Sequence, residues 1–123
     1  MKYRVDKQEQ YAIFTLEEEN LNSTIAPGVK SEFIILAQEG IHNLILDLSP
    51  VKYADSSGLS AILTAHRLWK QSGSFVIAGP LQPMVTKLIE ISQLDSILDI
   101  VPTSSEAVDF VKMEEIERQL NAK

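Results

Sequence analysis

The chain has 123 residues, no cysteine and a formal net charge of −6, with 45% apolar and 23% charged residues. That length suits one domain with a real core and is too short for two. The acid excess repels a phosphate backbone and no basic stripe is interleaved with aromatics, which argues against nucleic acid as a partner. The lack of cysteine excludes a disulfide framework and thiolate chemistry.

The longest clear apolar run is residues 33–37, far short of the ~20 needed to span a bilayer, so no direct membrane insertion is expected. Residues 1–7 are charged at both ends and carry no apolar h-region, so no secretory signal is expected and the cytoplasm is the expected compartment.

Residues 3–5 and 11–16 read as two strands joined by a polar turn, a hairpin in which Tyr11, Ile13 and Thr15 alternate with Ala12, Phe14 and Leu16. After the acidic turn Glu17-Glu18-Glu19, Ser23 or Thr24 is placed to cap a helix with Pro27 in its first turn. Ile25, Val29, Phe33 and Leu36 then share one face, and the helix should stop near Gly40. Leu44-Ile45-Leu46-Asp47-Leu48 is too short and too uniformly apolar for a surface helix, and reads as a buried central strand.

Residues 49–54 are expected to form a loop that leads into the polar turn Asp55-Ser56-Ser57-Gly58. A helix is predicted from Leu59 to about Gln71, with Ala61, Ile62, Leu63, Ala65 and Trp69 on its packed side. Residues 75–78 form another short apolar strand, Pro83 opens a helix carrying Val85, Leu88 and Ile89, and residues 97–101 form a last strand. Ser104 or Ser105 should cap the final helix, with Val108, Val111, Ile116 and Leu120 supplying apolar contacts. The order β, β, α, β, α, β, α, β, α predicts an α/β domain, its mostly parallel sheet covered by amphipathic helices. Residues 113–123 read as a charged helical tail in which Met113, Ile116 and Leu120 form a stripe suited either to a partner or to packing on the domain itself.

Two chemistries compete for the polar turn. Ala54-Asp55-Ser56-Ser57-Gly58 has the small-x-Ser-x-Gly form of a nucleophile elbow, which needs a histidine base. The chain has only His42 and His66. His66 lies ten residues along the helix that follows Ser56, about 15 Å of rise away, and His42 precedes the site in the wrong chain order. The same histidines lack metal-ligand spacing, no Gly-rich phosphate loop is present, and neither a cofactor nor a metal is expected. The alternative is a serine hydroxyl at a helix N-terminus, where backbone N–H groups and the dipole favour an added phosphate. A plain helix cap by Ser56 or Ser57, with Gly58 allowing close packing, is the structural counterpart of that reading.

The apolar strand at residues 44–48, followed by Tyr53-Ala54-Asp55-Ser56-Ser57-Gly58-Leu59-Ser60-Ala61-Ile62-Leu63, strongly resembles the STAS domain family, in particular bacterial anti-sigma factor antagonists. Val76-Ile77-Ala78-Gly79-Pro80, with Val85, Leu88 and Ile91-Ser92-Gln93-Leu94, is similar to the family's later strand, proline-containing loop and third helix. The likeness covers about residues 3–112, so residues 1–112 are expected to form the STAS domain.

The resemblance implies a non-enzymatic protein that binds an anti-sigma factor with serine kinase activity. It also implies that Ser56 is the phosphorylated residue, that a metal-dependent serine phosphatase reverses the modification, and that transcription is regulated indirectly. Asn22, Ser23, Asp55, Ser57, Gly58 and Leu59 are the implied partner-binding residues. Where many members carry Gly-x-Leu-Asp, this chain has Glu19-Asn20-Leu21-Asn22, so Asn22 replaces an acid; Gln93 stands where a glycine is common. A STAS subunit or scaffold of a larger stress-signalling or transporter complex is the alternative the same resemblance implies.

Overall fold

The computed structural model describes residues 1–80 and 82–122. Strands β1 (Tyr3–Lys7) and β2 (Ala12–Leu16) form the expected antiparallel hairpin, with Val5 opposite Phe14. Helix α1 (Ala26–Gln38) follows a two-residue strand β3 (Asn20–Leu21), and β4 (Leu44–Asp47) then pairs parallel to β2. After β5 (Tyr53–Ala54) come α2 (Ser56–Trp69), β6 (Phe75–Ala78), α3 (Pro83–Ile91), a single 3-10 turn (Leu94–Ser96), β7 (Asp99–Val101) and α4 (Ser104–Asn121). The main sheet runs β1-β2-β4-β6-β7 with only the β1–β2 pair antiparallel, so the expected α/β class and mostly parallel sheet are observed.

Strand periodicity splits the core in two. Phe14, Leu44, Leu46, Phe75 and Ile77 point to one face, where they meet Val29, Phe33 and Leu36 of α1, Ile62 and Trp69 of α2, and Val85 and Ile89 of α3. Ile45, Val76 and Ala78 point to the other face and meet Ala107 and Val111 of α4. The central strands β4 and β6 are thus covered on both sides, which explains their uninterrupted apolar sequence. An aromatic chain ties the first layer together: Tyr3 stacks on Phe14 at 5.0 Å, Phe14 meets Phe33 edge-on at 5.2 Å, and Phe33 meets Trp69 at 6.1 Å. The Trp69 indole N–H donates to the Ile41 carbonyl at 2.9 Å, so this large side chain is buried without leaving a polar atom unpaired.

Several local expectations are corrected. Neither Ser23 nor Thr24 caps α1. The Asn22 carbonyl instead accepts from the Ile25 and Ala26 N–H groups, and Asn22 Oδ1 accepts from the Thr24 N–H at 3.1 Å, because the chain enters the helix through a tight turn that the Asn side chain closes. Helix α2 begins at Ser56, three residues earlier than Leu59, and ends at Trp69. Thr103, rather than Ser104 or Ser105, caps α4, its hydroxyl accepting from the Glu106 N–H at 3.1 Å. Gly40 closes α1 with φ +86°, as expected of a helix-terminating glycine.

Helix α4 runs without a break across Lys112 to Asn121; Lys123, the last residue of the expected tail, lies outside the described residues. Ile116 and Leu120 do not pack on the domain as expected. What faces the domain there is polar: Glu114 accepts from the Ser74 hydroxyl at 2.5 Å, Glu115 accepts from Asn43 Nδ2 at 2.9 Å, and Arg118 donates to Asn43 Oδ1 at 2.9 Å. Asn43 and Ser74 are fully buried, so this network fixes which side of the helix turns inward.

Two predictions come from these contacts. Hydrogen bonding from Asn43 and then Arg118 holds the Glu115 carboxyl below its ordinary range. A carboxylate with a lowered folded pKa stabilises the fold above its unfolded value and loses that contribution as pH falls through the folded one. Glu115→Gln is therefore expected to be less stable than the parent at neutral pH, with the gap closing in acid, as read from urea midpoints across that range. Gln93 adopts φ +61°, a left-handed conformation that costs an L-residue about 1–2 kcal/mol. Gln93→Gly should raise unfolding stability by roughly 0.5–1 kcal/mol, the remainder being offset by glycine's greater unfolded-state entropy.

Candidate functional site: the serine turn at the start of helix α2

The site is assembled by backbone contacts between two loops 30 or more residues apart in sequence. The Glu19 carbonyl accepts from the N–H groups of Lys52 (2.8 Å) and Tyr53 (3.0 Å), and the Leu21 carbonyl accepts from the Asp55 N–H (3.2 Å). Strands β3 and β5 are the visible result, a parallel two-residue ladder pairing Asn20 with Tyr53 and Leu21 with Ala54. The sequence reading placed a turn and a loop here. Two residues carry no periodicity, so the pairing had no sequence signal beyond the aromatic Tyr53.

Gly58 makes the close approach possible. A Cβ at this position would overlap the Leu21 carbonyl oxygen and lie 2.8 Å from Leu21 Cγ, so any larger residue would push α2 off the β3 loop. Leu59, next to it, is buried and faces the core rather than the surface, which makes it a support for the turn.

Asp55 is the residue that caps α2: its Oδ1 accepts from the Gly58 N–H at 3.1 Å. The expectation that Ser56 or Ser57 fills this role is therefore corrected. The physical reason is the extended backbone of Asp55, φ −120° and ψ −171°, which turns its short carboxylate over the first turn while Ser56 is already helical. Among the described residues, the hydroxyls of Ser56 and Ser57 make no hydrogen bond to another protein group, and Ser56 is exposed at the first helical position. A free, exposed hydroxyl at the positive end of a 14-residue helix is well placed to carry an anion.

Around Ser56, an open depression of about 380 Å³ separates the first turns of α1 and α2. Ser23 and Lys30 line it from α1 and its entry turn, and Ser56, Ser57 and Ser60 from α2. Sequence reasoning brought Asn22, Ser23, Asp55, Ser56 and Ser57 into one group, and the structure places them on the two loops joined by the β3–β5 ladder. It missed Lys30, the cationic side chain on the rim, which is one helical turn from Ala26 and has no partner in an ion pair among the described residues. Tyr53 is about half exposed on the same loop and was also missed. A larger groove of about 630 Å³ lies on the opposite face of the sheet, lined by Arg4, Asp6, Thr15, Asp47 and Ser104, away from Ser56.

The histidines do not complete a catalytic arrangement with Ser56. The His66 ring lies 6.5 Å from that of Phe75, against β6, and burial followed by the nearby Lys70 charge pushes its pKa down. The His42 carbonyl lies beneath Gly73, at the end of the sheet from which β6 starts. Among the described residues no cluster of three or more His, Asp or Glu side chains is arranged to hold a metal ion, and no helix is long and apolar enough to cross a membrane.

With that fold and that serine turn, residues 2–107 match the STAS domain model, and the chain belongs to the STAS domain family. Among individual proteins it is 27% identical over 112 residues to BtrV of Bordetella bronchiseptica, named as a candidate anti-sigma factor antagonist, covering 91% of this chain and 96% of BtrV. An anti-sigma factor antagonist from Mycobacterium paratuberculosis superimposes with a TM-score of 0.82 at 18% identity, covering 90% of this chain and 93% of that one. The anti-sigma factor antagonist SpoIIAA in its unphosphorylated form gives 0.76 at 18% identity, over 90% and 96% of the two chains. The phosphorylated form of Bacillus SpoIIAA gives 0.69 at 18% identity, over 89% and 99%.

The capping geometry separates two residues that are adjacent in sequence. Asp55→Ala should cost about 1 kcal/mol through the lost N-cap, whereas Ser56→Ala should stay within about 0.5 kcal/mol of the parent. Chemical denaturation of the two variants checks this. Equal losses would mean that the serine shares the capping role.

Proposed function

We propose that this protein is an anti-sigma factor antagonist: a cytoplasmic, non-catalytic binding module that engages an anti-sigma factor with serine kinase activity and is switched off when that kinase phosphorylates Ser56. The observation that carries the reading is the uncommitted Ser56 hydroxyl at the first position of α2, with its neighbour Asp55 already supplying the cap. Modifying Ser56 therefore breaks no hydrogen bond that the fold uses. Membership of the STAS family and the likeness to BtrV support the class of partner.

The electrostatics follow from the geometry. A phosphoserine adds about −1.5 to −2 charges and three acceptor oxygens. Within the free protein, the helix N-terminus and Lys30 offset that charge. Against a partner, the same group must be desolvated and meets any acidic surface head-on, so binding weakens while the fold persists. The partner-facing residues in this reading are Asn22, Ser23, Asp55 and Ser57, with the half-exposed ring of Tyr53 as an apolar anchor at the edge. Gly58 and Leu59 act from beneath, one through backbone proximity and the other through the core. Asn22 closes the same local turn that an aspartate would but leaves the rim one charge less negative. A serine phosphatase would restore the unmodified hydroxyl, which is exposed enough to be reached.

The decisive experiment recovers the protein from its own cells, maps phosphopeptides in growth and under stress, and identifies the anti-sigma factor that co-purifies. Condition-dependent phosphate on Ser56 is expected. With that partner, Ser56→Ala should bind as the parent does and Ser56→Asp about 100-fold more weakly, close to 3 kcal/mol. Equal binding by the two variants would overturn the switch and favour a scaffold role.

A further inference from the structure

Helix α4 is amphipathic in the inverted sense over its second half. Glu114, Glu115 and Arg118 face the domain and are tied to Ser74 and Asn43, while Met113, Ile116 and Leu120 are exposed at 58%, 52% and 64%. Spacings of three and four residues put these apolar side chains in one outward stripe, on the opposite side of the helix from the buried Ala107 and Val111. The polar network beneath is what prevents the helix from rolling the stripe inward: doing so would take Glu115 and Arg118 away from the buried Asn43 and leave the buried Ser74 hydroxyl without its Glu114 and Arg118 partners. The exposure is thus built into the packing of the domain.

Charge on the rim discriminates among occupants. Among the described residues, exposed Glu106, Asp109 and Glu117 lie in or beside the stripe, opposed by one exposed lysine, Lys112, and none of the four forms an ion pair. A second copy of the chain would bring like carboxylates together on top of a net charge of −6 per copy. Three apolar side chains on one helix also bury well under the ~1,200 Å² typical of a stable association between whole proteins. An anionic lipid surface is repelled by the same acids. An amphipathic helix with basic flanks satisfies both the stripe and its rim.

We infer that the outer face of α4, centred on Met113, Ile116 and Leu120, is a second docking surface, separate from the Ser56 turn, for a basic amphipathic helix of a partner protein. The outer face offers about 10 Å of apolar stripe from Met113 to Leu120 at ~1.5 Å per residue, extended to about 17 Å by the acidic flank at Asp109 and so matching three turns of a partner helix with basic flanks.

The test uses the full chain labelled with ¹⁵N, titrated with a synthetic helical peptide of about four turns that has one leucine stripe and lysine elsewhere, and with its glutamate counterpart. The lysine peptide is expected to shift resonances along the outer face of α4 and to leave the Ser56 turn unmoved, while the glutamate peptide gives no shifts. Met113→Ser/Ile116→Ser/Leu120→Ser, whose altered side chains lie outside the core, should keep the parent's melting behaviour and lose at least tenfold in affinity. Asp109→Lys/Glu117→Lys should weaken the lysine peptide while leaving the apolar stripe intact. The proposal is overturned if the lysine peptide fails to bind, if its shifts lie elsewhere, or if the triple serine variant binds it as the parent does. Sedimentation showing a dimer that the triple variant abolishes would instead assign the stripe to a second copy. Co-sedimentation of the parent with phosphatidylglycerol vesicles, lost in the triple variant, would assign it to lipid.

Discussion

Everything at the serine turn depends on how closely α2 approaches Leu21. The Leu21 side chain is buried in the core, its carbonyl accepts from the Asp55 N–H, and its backbone leaves no room for a side chain on Gly58. One residue therefore fixes the depth, the angle and the partner of the α2 N-terminus. Because its neighbour Asn22 closes the turn into α1, the same contact also holds the first turns of α1 and α2 as the two walls of one depression. Two loops that are separate in sequence become a single surface, and phosphate on one of them would be felt by a partner touching either.

The two ends of the sheet are stabilised by different means. At the serine turn, backbone pairing between β3 and β5 does most of the work and Ser56 stays exposed. At the start of β4 and β6, a buried side-chain network does it. Asn43 is fully satisfied, its amide donating to the Gln10 carbonyl at 2.6 Å and to Glu115, its carbonyl oxygen accepting from the Ser74 N–H at 2.8 Å and from Arg118. Such a network adds little net stability compared with apolar packing, but it admits only one rotation of α4, because every alternative leaves a buried polar atom unpaired. The specificity gained is what turns the apolar side of that helix outward.

Asp55 separates the structural duty of the α2 N-terminus from its neighbour Ser56. An aspartate at the N-cap supplies the hydrogen bond and favourable dipole interaction that α2 needs, and so relieves the adjacent serine of any part in holding the helix. The fold then uses no hydrogen bond from the Ser56 hydroxyl, and under the proposed switch the energetic effect of modification would fall on binding. The sheet's opposite face, with its open groove between Arg4, Asp47 and Ser104, is spatially independent of this logic.

Much of the architecture was legible in the amino-acid sequence. The apolar runs at Leu44, Ile45 and Leu46 and at Phe75–Ala78 and the apolar spacing of Val29, Phe33 and Leu36 reflect burial that extends over whole elements, and periodicity reports such burial directly. The Asp55-Ser56-Ser57-Gly58 turn was recognisable because its glycine and its capping set are local requirements. Tertiary structure alone decided three things. Which side chain caps a helix depends on backbone angles at one residue, so Asp55 and Thr103 displaced equally suitable serine neighbours, and α1 is entered through a turn closed by Asn22 with no side-chain cap. The β3–β5 ladder is too short to have a period and exists because Leu21 and Gly58 meet. The roll of α4 was set by buried Asn43 and Ser74, more than 30 residues upstream, since a hydrophobic stripe in sequence says that a face is apolar and only long-range packing says which way it points.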